Sequence, residues 1–338
     1  MKAYSLIQFS SPEKAFQLID MPLRAPGPGE VGIRVTAFGI NFADIMARQG
    51  LYRECPPLPC VIGYDVEGEI TEIGEQVTEF NPGDKVFALT RFGGYAEHIT
   101  VPSIAVGHLP EDAPTGVGCG LAVHGITAYH GLLHAQTLLP GEKVLVHAAA
   151  GGLGITFIQI ALWKKCEVIG VAGGHAKVEL LKSLGVDHIV DHHKGDYVEY
   201  IHKYLNGKVD VILDNVGGAS IKKGKKILAP GGRLVTLGAA ALSGKRGKLN
   251  MIKLGLGFGF FSPISYLGKS QSLIGINMLR LADHRPDIIA EEFKGVENLY
   301  REGIINPHIG KIFPHQQLPE AHAFVESRKS IGKVVIKW

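Results

Sequence analysis

The stretch with the clearest chemical potential is Lys143–Gly154, KVLVHAAAGGLG. Val144, Leu145 and Val146 form a short β-branched and aliphatic run that reads as a buried strand. It leads through three alanines into Gly151-Gly152-Leu153-Gly154, and then into Ile155–Lys165, apolar nearly all round at helix length. Gly151 and Gly152 carry no Cβ, so backbone there can pass close to a pyrophosphate, and Gly154 lets the helix sit tightly on its strand. The N–H groups at the start of the helix lack intrahelical partners and face the phosphates. The chemistry implied is capture of a dinucleotide along Ala150, Gly151, Gly152 and Leu153. Ala148 stands at the first glycine of the G-x-G-x-x-G pattern, so the motif by itself also fits a bare strand-to-helix turn.

The elements that must position this turn decide in favour of a ligand. Glu167–Ala172 (EVIGVA) reads as a second strand, followed by Gly173-Gly174 and a helix from about Ala176 to Leu184. Val209–Asp214 and Arg233–Leu237 are further apolar strands, each ended by a glycine-containing turn. Strands alternating with helices predict an α/β, doubly wound parallel sheet. In such folds an acid at the end of the second strand bonds the ribose 2′-hydroxyl of NAD. Here Ala172–Gly174 offers no carboxylate, while Lys177 sits one turn into the next helix with His175 just before it. A missing acid and a nearby cation favour NADPH, whose 2′-phosphate takes cationic donors. Lys177 otherwise reads as a solvated helix residue.

At 338 residues the chain predicts two domains. A formal net charge of +3 is close to balance, which excludes an electrostatic case for nucleic acid. Cys55, Cys60, Cys119 and Cys166 read as reduced thiols. The opening MKAYSLIQFSS has no leader-like apolar run and reads as a strand, and no apolar stretch reaches membrane-spanning length, so a cytoplasmic protein is expected. Residues 1–120 hold short alternating strands between glycines and prolines, as in Glu30–Ala37 and Val66–Ile73, which suits a mostly antiparallel β domain. A helix-like run around Leu121–Leu133 leads into the nucleotide unit, and the chain switches back near Gly268. Ser272–Ile276 then reads as a strand, Pro286–Glu302 as a polar helix and Ile331–Trp338 as a last strand. The expected division is 1–123 with 269–338, and 124–268.

Taken with GINFADIMARQGLY (Gly39–Tyr52), NPGDKVFAL (Asn81–Leu89), HGITAYHGLL (His124–Leu133), HAAAGGLG (His147–Gly154), DNVGG (Asp214–Gly218) and ESRKSIGKVVI (Glu326–Ile336), the whole chain resembles the medium-chain dehydrogenase/reductase superfamily. It is most similar to the zinc-independent quinone oxidoreductase branch, and also similar to the vesicle amine transport protein-like members. The resemblance implies a GroES-like catalytic domain built from both chain ends, with a Rossmann domain inserted, and a homodimer. Zinc-binding relatives have a cysteine and a Gly-His-Glu motif where this sequence reads Gly39-Ile40-Asn41 and Gly63-Tyr64-Asp65. Neither asparagine nor tyrosine supplies the thiolate or imidazole a catalytic zinc takes, and Arg91–Gly94 replaces the four-cysteine lobe, so no metal is expected.

The resemblance also implies coenzyme contacts. Lys177 matches a family lysine, and His192 stands where the pattern has a tyrosine. Thr127 is placed near the nicotinamide carboxamide, Asn215 with Gly238, Ala239 and Ala240 along the nicotinamide ribose, Gly173 at the second strand's end, Arg328 in the C-terminal segment, and Asn277 is a further coenzyme-binding residue. Without zinc, negative charge that develops on a reduced carbonyl must be met by hydrogen-bond donors. Asn41 stands at the family's loop asparagine and is the first candidate; Asp44 is an orienting partner. Tyr52 and Tyr64 are either donors or packing residues. The expected activity is NADPH-dependent hydride transfer to a quinone or an α,β-unsaturated carbonyl. The alternatives are a zinc-free aldehyde or ketone reductase, and a weakly catalytic NADPH-binding protein that acts at a membrane or on a partner. For the last, Lys245, Arg246, Lys248 and Lys253 precede the apolar Leu254–Phe261; a flap over the substrate cleft is the preferred reading of that segment.

Overall fold

A computed structural model describes residues 1–238, 240–244, 252, 255–259 and 261–338. Ala239, Lys245, Arg246, Lys248, Lys253 and Leu254 therefore lie outside the described residues. The chain divides into two compact units, Met1–Thr127 with Met278–Trp338, and Ala128–Asn277.

In the first unit a sheet runs in the order Ile309–Pro314, Lys333–Lys337, Glu30–Ile40, Asp65–Ile73, Lys85–Leu89 and Val106–His108, with His98–Pro102 also paired to Glu30–Ile40. Its pairings are antiparallel except that of the two C-terminal strands. The central strand shows why it sits there. Val31, Ile33 and Val35 point into the core while Arg34 and Thr36 face out, the period of a one-sided strand. From Ala37 to Ile40 every residue is buried, so the strand enters the interior before it delivers Asn41. A smaller sheet joins Phe16–Asp20, Lys2–Leu6 and Cys60–Val61.

The chain ends are tied by a buried arginine. Arg48, 1% exposed, donates through Nη1 to the Ser10 carbonyl and through Nη2 to Glu326, whose other oxygen accepts from Gln49 Nε2 at 2.6 Å. A guanidinium fork is suited to this planar pairing, and a charge so buried needs it.

The second unit is a parallel sheet in the order His188–Asp191, Glu167–Ala172, Lys143–His147, Val209–Asp214, Leu228–Thr236 and Ser272–Gly275. Lys143–His147 is flanked by the second and the fourth strand, so the order reverses beside it, where dinucleotides bind in such sheets. The expected return near Gly268 is displaced: Leu234 pairs with Leu273 and Val235 with Ile274, which places Ser272–Gly275 in this unit. The strand is recruited by the open edge of its neighbour, a pairing that four residues do not reveal locally. Leu121–Leu133 is helical, with widened turns over Gly120–Gly125 and His130–His134. No helix among the described residues is long and apolar enough to cross a membrane.

The turn after Lys143–His147 keeps a glycine's conformation without the glycine. Ala148 has φ +48°, in the left-handed region. A Cβ on Gly154 would lie 2.5 Å from the Ala148 carbonyl oxygen, so no larger residue fits there. Ala148→Gly should relieve the left-handed strain and stabilise the protein by about 0.5–1 kcal/mol. A denaturant-unfolding midpoint that fails to rise would show that the alanine is unstrained.

Candidate active site

The catalytic candidates of the first unit gather where its central strand ends. Asn41 caps the helix Phe42–Arg48, and its backbone N–H donates to Asp44 Oδ2 at 2.7 Å, which fixes the helix start. Its side chain is engaged at both ends: Nδ2 donates to Asp65 Oδ2 at 2.5 Å, and Oδ1 accepts from Lys333 Nζ at 2.7 Å. Lys333 also donates to Asp65 Oδ2 at 2.6 Å, with the two side chains 1% and 0% exposed. Asp65 opens one neighbouring strand and Lys333 the other, so sheet pairing with Phe38–Ile40 brings them together. Gly39 makes room: a Cβ there would lie 1.9 Å from Asp65 Oδ1 and 2.2 Å from Lys333 Cε.

Sequence reasoning found Asn41 and Asp44 but missed Asp65 and Lys333 as parts of the site. The available signal is a lysine heading the apolar run Lys333–Ile336 and an aspartate heading the apolar Asp65-Val66. Isolated opposite charges at buried strand starts are candidates for pairing.

Charge balance in this interior explains Asp44. Two carboxylates share the surroundings of one ammonium, and Asp65 takes it. Asp44 is fully buried and one of its oxygens, Oδ1, has no hydrogen-bond partner. Burial, aided by the charge of Asp65, raises its carboxyl to about 8 despite the Asn41 N–H. At neutral pH Asp44 is therefore a protonated acid.

The Tyr52 and Tyr64 rings meet edge to face with centroids 5.8 Å apart, and Phe92 packs on Tyr64 at 5.2 Å. Burial pushes the Tyr52 hydroxyl up to about 12 and that of Tyr64 up further, so both are donors, not phenolates. The Tyr64 hydroxyl is buried without a hydrogen-bond partner. Thr127 is buried in the helix Ile126–Tyr129, and Arg328 follows the helix Leu318–Glu326 with φ +60°.

In the second unit the sequence-derived coenzyme residues collect at the carboxyl ends of the strands. Gly151 caps the helix Gly152–Trp163 behind the buried Ala150, with Gly152 and Leu153 in its first turn. Asp214 Oδ1 accepts from the N–H groups of Val216 and Gly217, both at 2.8 Å, and so shapes the turn that carries Asn215. Asn215 Oδ1 is buried with no protein partner, as a ligand-facing amide would be. Gly238 passes so near that a Cβ would lie 2.8 Å from the Asn215 carbonyl oxygen; Ala240 lies just beyond it and Asn277 ends the unit. At the second strand's end, Gly173 sits beneath His192 and His193, and Lys177 on the helix His175–Ser183 is near enough for its charge to act on His192. No carboxylate stands on Ala172–Gly174. These groups fit an NADP-type coenzyme.

A model of the alcohol dehydrogenase GroES-like domain matches residues 27–111, and one described as zinc-binding dehydrogenase matches residues 184–336. The human synaptic vesicle membrane protein VAT-1 homolog is 36% identical over 315 residues, 92% of this chain and 80% of that protein. The chain belongs to the medium-chain dehydrogenase/reductase family. Within the family it is also similar to human quinone oxidoreductase, 28% identical over 343 residues, 99% of this chain and 97% of that one. A mycobacterial structure complexed with NADPH superposes with a TM-score of 0.85 at 26% identity, covering 100% of both chains. The two units correspond to a GroES-like fold and a Rossmann fold, as the resemblance implies.

Asp44 gives this unit a characteristic pH dependence. A raised carboxyl pKa means that the folded protein holds a proton the unfolded chain releases, so stability falls as pH rises. The window runs from the unfolded value, near 4, to the folded value of about 8. Asp44→Asn keeps an acceptor for the Asn41 N–H and removes the titration. The variant should gain on the wild type by up to roughly 1.4 kcal/mol per pH unit across that window and level off above it. Denaturant unfolding from pH 5 to 9 checks this, and parallel wild-type and variant curves would refute it.

Proposed function

We propose that this protein is an NADPH-dependent oxidoreductase that reduces a quinone or an α,β-unsaturated carbonyl without zinc. The observation that carries the reading is the second strand's end, where Ala172–Gly174 offers no carboxylate of its own and Gly173, Lys177 and two histidines meet, the nearby Asp191 being engaged by the Gly174 and His193 N–H groups. The quinone oxidoreductase relative and the NADPH complex of a structural neighbour support the same coenzyme and reaction type.

Bound NADPH supplies the hydride. In the second unit Ala150, Gly151, Gly152 and Leu153 hold the pyrophosphate at the helix start, and Asn215 receives a polar group of the ribose. Gly238, Ala240 and Asn277 border the same ribose, and Gly173, His192 and Lys177 border the adenosine end. Thr127 and Arg328 are assigned further coenzyme contacts. In the first unit Lys333 and Asp65 lock one N–H and the carbonyl of the Asn41 amide. The second N–H of the amide is thereby aimed, and it stabilises negative charge that develops on the acceptor oxygen. Tyr52 and Tyr64 supply further O–H donors, and Asp44 orients Asn41 through its backbone N–H.

Independence from zinc rests on donor chemistry. The two positions compared with zinc ligands carry Asn41 and Tyr64, and Asn41 already binds a fixed cation, the Lys333 ammonium. A homodimer suits the exposed Leu273 on the sheet-edge strand and the 80% exposed Ile264 and Leu267 beside it in sequence.

Purified protein should oxidise NADPH with quinone or enone acceptors and keep that rate after exhaustive dialysis against a chelator. Asn41→Ala should lower kcat/KM about 10²–10³-fold for every active acceptor, with the Kd of NADPH within about twofold of wild type. Turnover unchanged by the substitution would remove Asn41 from the reaction, and activity confined to simple aldehydes would favour the ketone-reductase alternative.

A further inference from the structure

Beyond the assignment of the coenzyme lies the question of how its 2′-phosphate is held in a chain with no arginine at the second strand's end. Ala172 is followed by Gly173 and Gly174, and the turn after the third strand brings Asp191-His192-His193 against them. A Cβ on Gly173 would lie 2.6 Å from His192 Nε2 and 2.5 Å from His193 Nε2. Both imidazole nitrogens thus converge on one glycine, at the place where the adenosine ribose lies in this fold. The rings are exposed and adjacent, with centroids 4.4 Å apart.

The segment is held from behind. Asp191 Oδ1 accepts from the N–H of Gly174 at 3.2 Å and of His193 at 3.0 Å, and the N–H of His192 donates to the Ala172 carbonyl at 3.0 Å. The rings therefore stand on a fixed turn while their Nε2 atoms face Gly173.

We propose that His192 and His193, together with Lys177, form a proton-dependent clamp for the coenzyme 2′-phosphate, so that preference for NADPH over NADH grows as the pH falls. The proposal rests on the NADPH reading above and adds His193 to it as a specificity-determining residue. Two imidazolium rings this close repel, and a dianion between their nitrogens offsets that repulsion. Binding NADPH thus draws protons onto the pair, whereas NADH has no group there to do so. The surrounding cations act in the same direction. Partial burial, then the neighbouring His193 and Lys177 on the following helix, hold His192 below its usual range, while Asp191 and a backbone hydrogen bond oppose them. Lys194 continues that segment, and the exposed His175 faces Glu179 at 3.9 Å. From the central strand the buried His147 also faces His192, with Asp214 4.0 Å behind it. In the free protein His192 is therefore disfavoured as a cation, and the arriving phosphate offsets that.

The test is fluorescence titration of the full chain with NADPH and with NADH between pH 6.5 and 8, a range in which the phosphate itself is mostly dianionic. In the wild type the Kd for NADPH should rise about thirtyfold across this range, as uptake of about one proton requires, while the Kd for NADH stays within twofold. In the double variant His192→Gln, His193→Gln, NADPH should bind about as weakly at pH 6.5 as wild type does at pH 8, with NADH binding unchanged. A wild-type preference for NADPH that is large but independent of pH overturns the clamp and leaves the NADPH reading intact. A double variant that keeps the wild-type slope overturns it too. Equal affinity for both coenzymes at every pH, or no affinity for either, overturns the clamp and the NADPH reading together.

Discussion

The ion pair between Lys333 and Asp65 is the constraint around which the catalytic unit is arranged. Removing two such charges from water is expensive, and the pair is tolerable only because geometry and further hydrogen bonds compensate. Asn41 provides that compensation from just past the strand between them, with its amide oxygen on the ammonium and its N–H on the carboxylate. Losing one member leaves an uncompensated charge in the interior, at a cost on the order of 3–5 kcal/mol. The strand carrying Lys333 comes from the last residues of the chain and the strand carrying Asp65 from the first third, so the unit cannot close correctly until both ends are in register. Arg48 and Glu326 impose the same requirement from the other side of the C-terminal helix.

One cation among several acids has further consequences. Asp44, left without the ammonium, is held neutral, and Glu67 shows a milder form of the same behaviour. Its oxygens accept from the N–H groups of Gly116 at 2.6 Å and Gly118 at 2.9 Å, yet burial still raises it to about 7. Folding of this unit therefore consumes protons at neutral pH. An interior of this kind suits a site that must meet a developing negative charge, because the nearby acids do not oppose it while they stay protonated.

How much of this was legible in the sequence depends on the range of the interaction. Glu167–Ala172 reads as a strand and is one over the same residues, because its burial and its flanking glycines are local facts. The strand, glycine turn and helix at Lys143–Gly154 are legible for the same reason. Ser272–Gly275 is legible as a strand, but its sheet is not, since that depends on which edge is open when it arrives. Lys333 is the extreme case: its carboxylate partner is 268 positions away, and no periodicity links them. Asn41 and Asp44 stand out through their loop, whereas the group that aims Asn41 is invisible until the sheet is assembled. Asp44 reads as an orienting carboxylate and does accept the Asn41 N–H, yet its neutrality follows from its own burial, aided by the charge of Asp65, which only the assembled sheet brings beside it.

Within the second unit the fold dictates side chains with varying tightness. At Gly154 the backbone approach leaves no alternative to glycine. At Ala148 the same turn demands a left-handed residue, and the chain tolerates an alanine there at modest cost. At the ends of the second and third strands the demand relaxes again: the backbone sets only the direction from which side chains approach Gly173. Asp191 meets that demand with backbone hydrogen bonds alone, which leaves the identity of the next two residues open to selection by the ligand. In the proposed clamp the fold sets where a coenzyme phosphate would be met, and histidine in place of a permanently charged residue would make the meeting depend on protons.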